Sequence, residues 1–203
     1  MTDPITSQDL RDRLNLIESM MSEGRQKTES WGWSFVLWGI AYFIAIAWGT
    51  FGHSNYAWPV TMIVAAVITG FGAFKTREHH PETTLGRAIG AIWIAMGWSL
   101  FILCISVAAS GHAEQHVFLA MIEGALGTAN VTSGLILRWR VQMGVGIAWW
   151  AAAVASCFVT IDQSGYIFLA AIFLCQIVFG VYMMISEAAE RRARAANSGA
   201  SHA

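Results

Sequence analysis

Apolar residues fill three long stretches of this 203-residue chain, and lysine and arginine are absent from all three. The stretches cover residues 28–74, 88–137 and 141–190, and a short polar turn interrupts each of them near its middle. A membrane-spanning helix needs about 20 consecutive apolar residues. Each stretch therefore predicts two spans joined by one turn. The six predicted spans are residues 31–50, 56–74, 86–109, 116–137, 142–160 and 165–186.

The basic residues lie between these stretches and at the two ends of the chain. They form four clusters: Arg11/Arg13/Arg25/Lys27, Lys75/Arg77/Arg87, Arg138/Arg140 and Arg191/Arg192/Arg194. Because loops rich in lysine and arginine stay in the cytoplasm, all four clusters are predicted to be cytoplasmic and the three turns to lie outside. Both termini are then cytoplasmic, and the expected location is a plasma membrane of the bacterial inner-membrane type.

Composition supports a lipid-embedded protein. Hydrophobic residues make up 56% of the chain and charged residues 12%, whereas soluble domains carry about 25% charged residues. The lipid bilayer is therefore the first expected partner. With a formal net charge of −1, the chain has no overall field that would attract nucleic acid.

The short turns require neighbouring helices to be antiparallel. The predicted fold is an all-α integral membrane protein with six transmembrane helices arranged as three antiparallel hairpins. Residues 1–30 form a cytoplasmic N-terminal segment, residues 31–186 the transmembrane domain, and residues 187–203 a cytoplasmic helix extension and tail. Tryptophans placed well inside spans, such as Trp98 and Trp149, are expected to fill the bundle core or line a cavity.

An amphipathic helix is predicted before the first span. Its apolar face is formed by Leu10, Leu14, Ile17 and Met21, whose 4, 3, 4 spacing lines one side of a helix. Such a face can pack on its own protein, pair with a second copy in a homo-oligomer, or bind a cytoplasmic protein.

The fourth span differs from the others because it carries polar residues. Glu123 is the only acidic residue deep within a predicted span, and a charged carboxylate there costs at least ~2.5 kcal/mol. We expect it to be protonated, hydrogen-bonded or next to water. His116, Glu123 and Asn130 are seven residues apart and share one face, which can line a proton or ion path or bond to a neighbouring helix. Gln176 is the expected bonding partner.

Histidines near the predicted outer turns suggest a different chemistry. His112 and His116 have the i,i+4 spacing that can hold one metal ion on a helix, and His53 lies on another outer turn. A metal or haem site built from these three residues is therefore an alternative, although the sequence identifies no particular cofactor.

Three functions follow from these patterns. The first is a non-enzymatic membrane regulator or complex subunit that acts through the N-terminal helix. The second is a small proton- or ion-coupled transporter or channel that uses Glu123, and the third is a metal or haem protein. The sequence lacks a nucleophile elbow, a P-loop and a dinucleotide fingerprint, which favours a non-enzymatic role.

Overall fold

The computed structural model describes residues 7–52, 56–77, 84–110 and 114–200, and this part of the chain is almost entirely helical, without a β-strand. The elements are α1 (Ser7–Glu29), α2 (Gly32–Gly52), α3 (Ala57–Arg77), α4 (Thr84–Ser110), α5 (Gln115–Ile136), α6 (Arg140–Phe158), α7 (Ile161–Ile172), a π-helical segment (Phe173–Val178) and α8 (Phe179–Ala200). The all-α prediction is therefore confirmed.

Five helices in the described residues are long and apolar enough to cross a membrane. They cover Gly32–Gly49, Ala57–Lys75, Thr84–Val107, Arg140–Phe158 and Ile161–Ala193, and the last of these runs through α7, the π segment and α8. Each overlaps one predicted span. The remaining predicted span corresponds to α5, whose 22 residues include Glu123, Asn130 and several hydroxyl side chains. These polar groups lower its apolar character.

The most extensive helix contact in the described structure joins α5 to α6. Glycines bring the two backbones together, because a Cβ added at Gly146 would lie 2.6 Å from the Val131 backbone nitrogen and 2.8 Å from the Gly127 carbonyl oxygen. A Cβ at Gly134 would lie 2.7 Å from the backbone nitrogen of Met143. In the predicted arrangement α5 and α6 belong to different hairpins, so the closest packing lies between two of the predicted hairpins.

The turn between α5 and α6 is tight. Trp139 N donates to the Gly134 carbonyl oxygen at 2.8 Å and Arg138 N donates to that of Leu135 at 3.2 Å. These two bonds form a Schellman motif, which places its C′ residue in the left-handed region. That residue is Arg138, with φ of 50°, although glycine adopts this conformation most easily. The turn therefore holds α6 directly against α5.

The last long helix begins at a capping box and contains an irregular segment. Thr160 Oγ1 accepts a hydrogen bond from Gln163 N, and Gln163 Oε1 accepts one from Thr160 N. The π segment that follows α7 contains the buried residues Cys175 and Gln176. A Cβ at Gly39 of α2 would lie 3.1 Å from the Cβ of Gln176, so the π segment packs closely on α2.

Two apolar clusters form the interior of the helical bundle. The larger cluster joins α2, α5, α6, α7 and the π segment, and its buried members are Tyr42, Leu119, Ile122, Leu126, Trp149, Phe168, Ala171, Ile172 and Cys175. The smaller cluster includes Phe35, Ile89, Leu137, Trp139, Phe179 and Met183. By contrast, Trp98 on α4 is 60% exposed, so it does not fill the core of this chain as expected.

Helix α1 is attached to the bundle near its C-terminal end. Gly24 and Thr28 are buried, and the Thr28 hydroxyl donates to the Gly24 carbonyl oxygen at 2.9 Å. A Cβ at Gly24 would lie 2.5 Å from Leu85 Cδ2 of α4 and 3.1 Å from Leu137 Cδ2 in the α5–α6 turn. This end of α1 therefore rests on the start of α4 and on the α5–α6 turn.

Candidate functional site

A row of buried polar side chains lies along the contact between α5 and α6. We call it the polar seam, and it consists of His116, Glu123, Asn130 and Ser133 on α5 and Gln142, Trp149 and Ser156 on α6. All of them except His116 are buried, and each has at least one side-chain nitrogen or oxygen without a hydrogen-bond partner among the described residues. Buried polar groups are ordinarily paired, so the polar seam is the most unusual feature of the interior.

Glu123 is fully buried, and neither of its carboxyl oxygens has a hydrogen-bond partner within the described structure. The Ser156 hydroxyl of α6 lies beside the carboxyl but does not reach full hydrogen-bond geometry with it. Leaving a neutral polar group unpaired in protein costs about 1–3 kcal/mol, and an isolated charge costs far more. The site therefore favours an occupant that can bond to the carboxyl, such as a proton or a water molecule.

Asn130 uses only half of its amide. Its Nδ2 donates to the Leu126 carbonyl oxygen of the same helix at 2.9 Å, while Oδ1 has no partner among the described residues. The side chain is fully buried. Asn130 therefore presents an open acceptor inside the bundle, two helical turns from Glu123.

Ser133 and Gln142 continue the polar seam toward the α5–α6 turn. Both are fully buried, and the Ser133 hydroxyl and both amide atoms of Gln142 lack partners in the described part of the chain. They lie at the same level, because their neighbours Gly134 and Met143 touch across the helix contact. This pair forms the end of the polar seam nearest the turn.

His116 lies at the opposite end, close to the start of α5. Its side chain is partly exposed, and Nε2 is 3.4 Å from Glu114 Oε2. Nδ1 is buried and has no partner among the described atoms. His116 is therefore the member of the polar seam that reaches the surface at this end of the helix.

The stripe predicted from the sequence contains His116, Glu123 and Asn130 of the polar seam. It does not contain Ser133 or the α6 residues, of which only Trp149 was expected, as a core or cavity residue. Gln142, Trp149 and Ser156 are also seven residues apart, and together with Gly146 they are the buried residues of that helix. The same heptad spacing that drew attention to α5 would have identified them. The two helices that carry these heptad-spaced stripes pack together, and Ser156 of the α6 stripe lies beside Glu123 of the α5 stripe.

Gln176 is buried in the π segment, 3% exposed. Its Cβ packs against Gly39 of α2, and the structure shows no hydrogen bond from it to Glu123. Single-turn π segments occur often at functional sites, and Cys175, the residue before Gln176, belongs to the larger apolar cluster. The expected role of Gln176 as partner of Glu123 stays a prediction.

The histidine hypothesis falls mostly outside the described structure. His53 and His112 lie among the residues that the structure does not describe, and His116 is the one member that it places. Among the described residues, no group of three or more histidine, cysteine, aspartate or glutamate side chains could hold a metal ion.

A second candidate site is the N-terminal part of α1. Leu10 and Leu14 of the predicted apolar face are 54% and 61% exposed, and the neighbouring Leu16 is 60% exposed. The side chains of Ile17 and Met21 lie outside the described residues. The described leucines of this face are therefore not covered by the other described residues of the chain.

Comparison with known proteins yields no relationship: no protein family model matches the chain, and no curated protein or solved structure shows significant similarity to it. Function must therefore be inferred from the residues themselves.

Proposed function

We propose that the protein is an integral membrane protein of the bacterial inner-membrane type, with six spans and both termini in the cytoplasm. The five apolar helices support five of these spans. The sixth is α5, whose 22 residues would extend about 33 Å at 1.5 Å per residue, enough to cross a hydrocarbon core of about 30 Å. A crossing by α5 also keeps Arg138 and Arg140 on the same side as the other basic clusters.

On this membrane scaffold, we propose a non-enzymatic role as a regulator or complex subunit that binds a cytoplasmic protein through α1. The observation that carries the proposal is the exposure of Leu10 and Leu14 on a helix that is held to the bundle at its other end. Leucines on the membrane helices can face lipid, but those on a cytoplasmic helix would face water. Helices commonly bind in hydrophobic grooves of partner proteins through leucines at positions i and i+4. Such a groove would cover the exposed Leu10 and Leu14.

The attachment of α1 suggests how binding would affect the membrane domain. Gly24 contacts Leu85 at the start of α4 and Leu137 in the α5–α6 turn. Leu137 also belongs to the smaller apolar cluster. A partner that moved α1 would therefore act on the turn that joins the two helices of the polar seam.

Co-purification with matched variants tests this role. The double variant Leu10→Ser, Leu14→Ser removes the proposed face, and Leu16→Ser removes an equally exposed leucine that points to a different side of the helix. Burial of one leucine contributes about 1.5–3 kcal/mol, so the double variant is expected to lose its cytoplasmic partner in quantitative mass spectrometry. The Leu16→Ser variant is expected to retain it. Retention of the same proteins by the double variant would refute the role of α1.

A further inference from the structure

The distribution of unpaired polar atoms suggests a second activity, which does not depend on α1. Polar side chains at membrane helix contacts normally stabilise them by bonding across the contact. In the polar seam, the Glu123 oxygens, Asn130 Oδ1, the Ser133 hydroxyl and both amide atoms of Gln142 make no such bond within the described structure. Helix packing alone therefore does not account for these residues, and water is the smallest molecule that would satisfy them.

The polar seam extends over most of the thickness of a bilayer. From His116 to Ser133, α5 rises about 25 Å at 1.5 Å per residue, while the hydrocarbon core of a bilayer is about 30 Å thick. On α5, His116 at one end is partly exposed next to Glu114, and Ser133 at the other end lies one turn before the end of the helix. Polar groups thus follow most of the proposed path across the bilayer.

We propose that the polar seam conducts protons, with Glu123 as the group that takes up and releases each proton and internal water as the link to the other side chains. Uptake forms an O–H bond on one carboxyl oxygen, and release breaks that bond and passes the proton to the next water. No electron is transferred. Asn130, Ser133 and Gln142 hold and orient water between Glu123 and the α5–α6 turn.

A metal cation fits this site less well than a proton. Hard cations take about six or more oxygen ligands, whereas the polar oxygens described next to Glu123 are its own carboxyl and the Ser156 hydroxyl. Asn130 Oδ1 lies two helical turns away on α5. A proton needs a single carboxyl oxygen.

Among the described residues near the polar seam, the other titratable groups include His116 with its neighbour Glu114, Tyr42 of α2 and Cys175 of the π segment in the larger apolar cluster, and Cys104 of α4 near Tyr42. Arg138 and Arg140 are permanent cations, but they lie beyond the end of α5, about four helical turns from Glu123. They are therefore too far along the helix to hold Glu123 as a carboxylate. Glu123 is therefore the acidic group in this interior that can exchange protons.

Proton flux into liposomes in sodium-free buffer tests the proposal. The comparison uses the wild-type protein, Glu123→Gln, and Glu18→Gln, which removes an exposed carboxyl from α1 as a control. We expect wild-type flux above that of empty liposomes, at least a tenfold loss in Glu123→Gln, and no change in Glu18→Gln. Wild-type flux equal to that of empty liposomes, or equal flux in wild type and Glu123→Gln, would overturn the proposal.

If Glu123→Gln does not fold, a second variant tests whether protons pass along the polar seam. Gln142→Met keeps the approximate shape of the side chain but removes two unpaired polar atoms, so it is expected to fold. Its flux should fall several-fold, because it interrupts the water path near the α5–α6 turn. Flux equal to that of the wild type would show that protons do not pass along the polar seam.

Discussion

The contact between α5 and α6 makes a quantitative prediction for a single methyl group. In Gly146→Ala the new Cβ would lie 2.6 Å from the Val131 nitrogen and 2.8 Å from the Gly127 oxygen, distances that Cβ atoms in proteins essentially never show. Both neighbours are backbone atoms and cannot rotate away. The helices must therefore separate by several tenths of an ångström.

The cost follows from the size of this contact, the most extensive between helices of the described structure. A gap of about 0.5–1 Å forfeits a quarter to a half of the dispersion energy of the atoms involved, and overpacked interiors typically lose about 1–3 kcal/mol. We expect Gly146→Ala to lower the free energy of unfolding by this amount, measured by thermal unfolding in detergent with circular dichroism.

Gly144→Ala provides the matched control on the same helix. A Cβ at Gly144 would meet no atom within 4 Å, and alanine favours a helix over glycine by about 0.5–1 kcal/mol. This variant should unfold at the wild-type temperature or above it. If Gly146→Ala proved as stable as Gly144→Ala, the close approach of the two backbones would be wrong.

Two further predictions concern helix ends. Arg138→Gly should raise the unfolding free energy by about 1–2 kcal/mol, because glycine adopts the left-handed conformation of Arg138 without the Cβ penalty; Arg138→Ala keeps the Cβ and should bring no such gain in the same thermal assay. Thr160→Ala should lower the unfolding free energy by about 1 kcal/mol, because it removes the acceptor for Gln163 N. Hydrogen exchange should then become faster at the first amides of α7. Unchanged exchange at these amides would exclude a capping role for Thr160.

Much of the helical arrangement could be predicted from the sequence, because spans and turns differ sharply in polarity. The predicted spans 56–74 and 142–160 correspond closely to α3 and α6. The start of the last span was placed at residue 165, whereas α7 begins at Ile161. The Thr160 and Gln163 capping box was the signal for that earlier start.

The buried face of each apolar helix could not be predicted in the same way. Lipid and protein interior are both apolar, so hydropathy does not distinguish a leucine in the core from one facing the bilayer. Trp98 and Trp149 looked equivalent in the sequence, yet Trp98 is exposed on α4 and Trp149 is fully buried. Polar residues and glycines do indicate which face of an apolar helix is buried, as Gln142 and Gly146 do for α6.

For α1, the spacing of apolar residues indicated a face but not what covers it. The structure shows that the bundle holds Gly24 and Thr28 and leaves Leu10 and Leu14 exposed. Both observations motivate the proposed cytoplasmic partner.

Photo-crosslinking in intact cells tests whether α1 binds a cytoplasmic protein. A photoreactive amino acid is placed at position 14, within the proposed face, or at position 16, which is equally exposed on another side of α1. We expect a discrete adduct with one cytoplasmic protein from position 14 and none from position 16. The absence of an adduct at position 14, or an adduct only with a second copy of this chain, would contradict it.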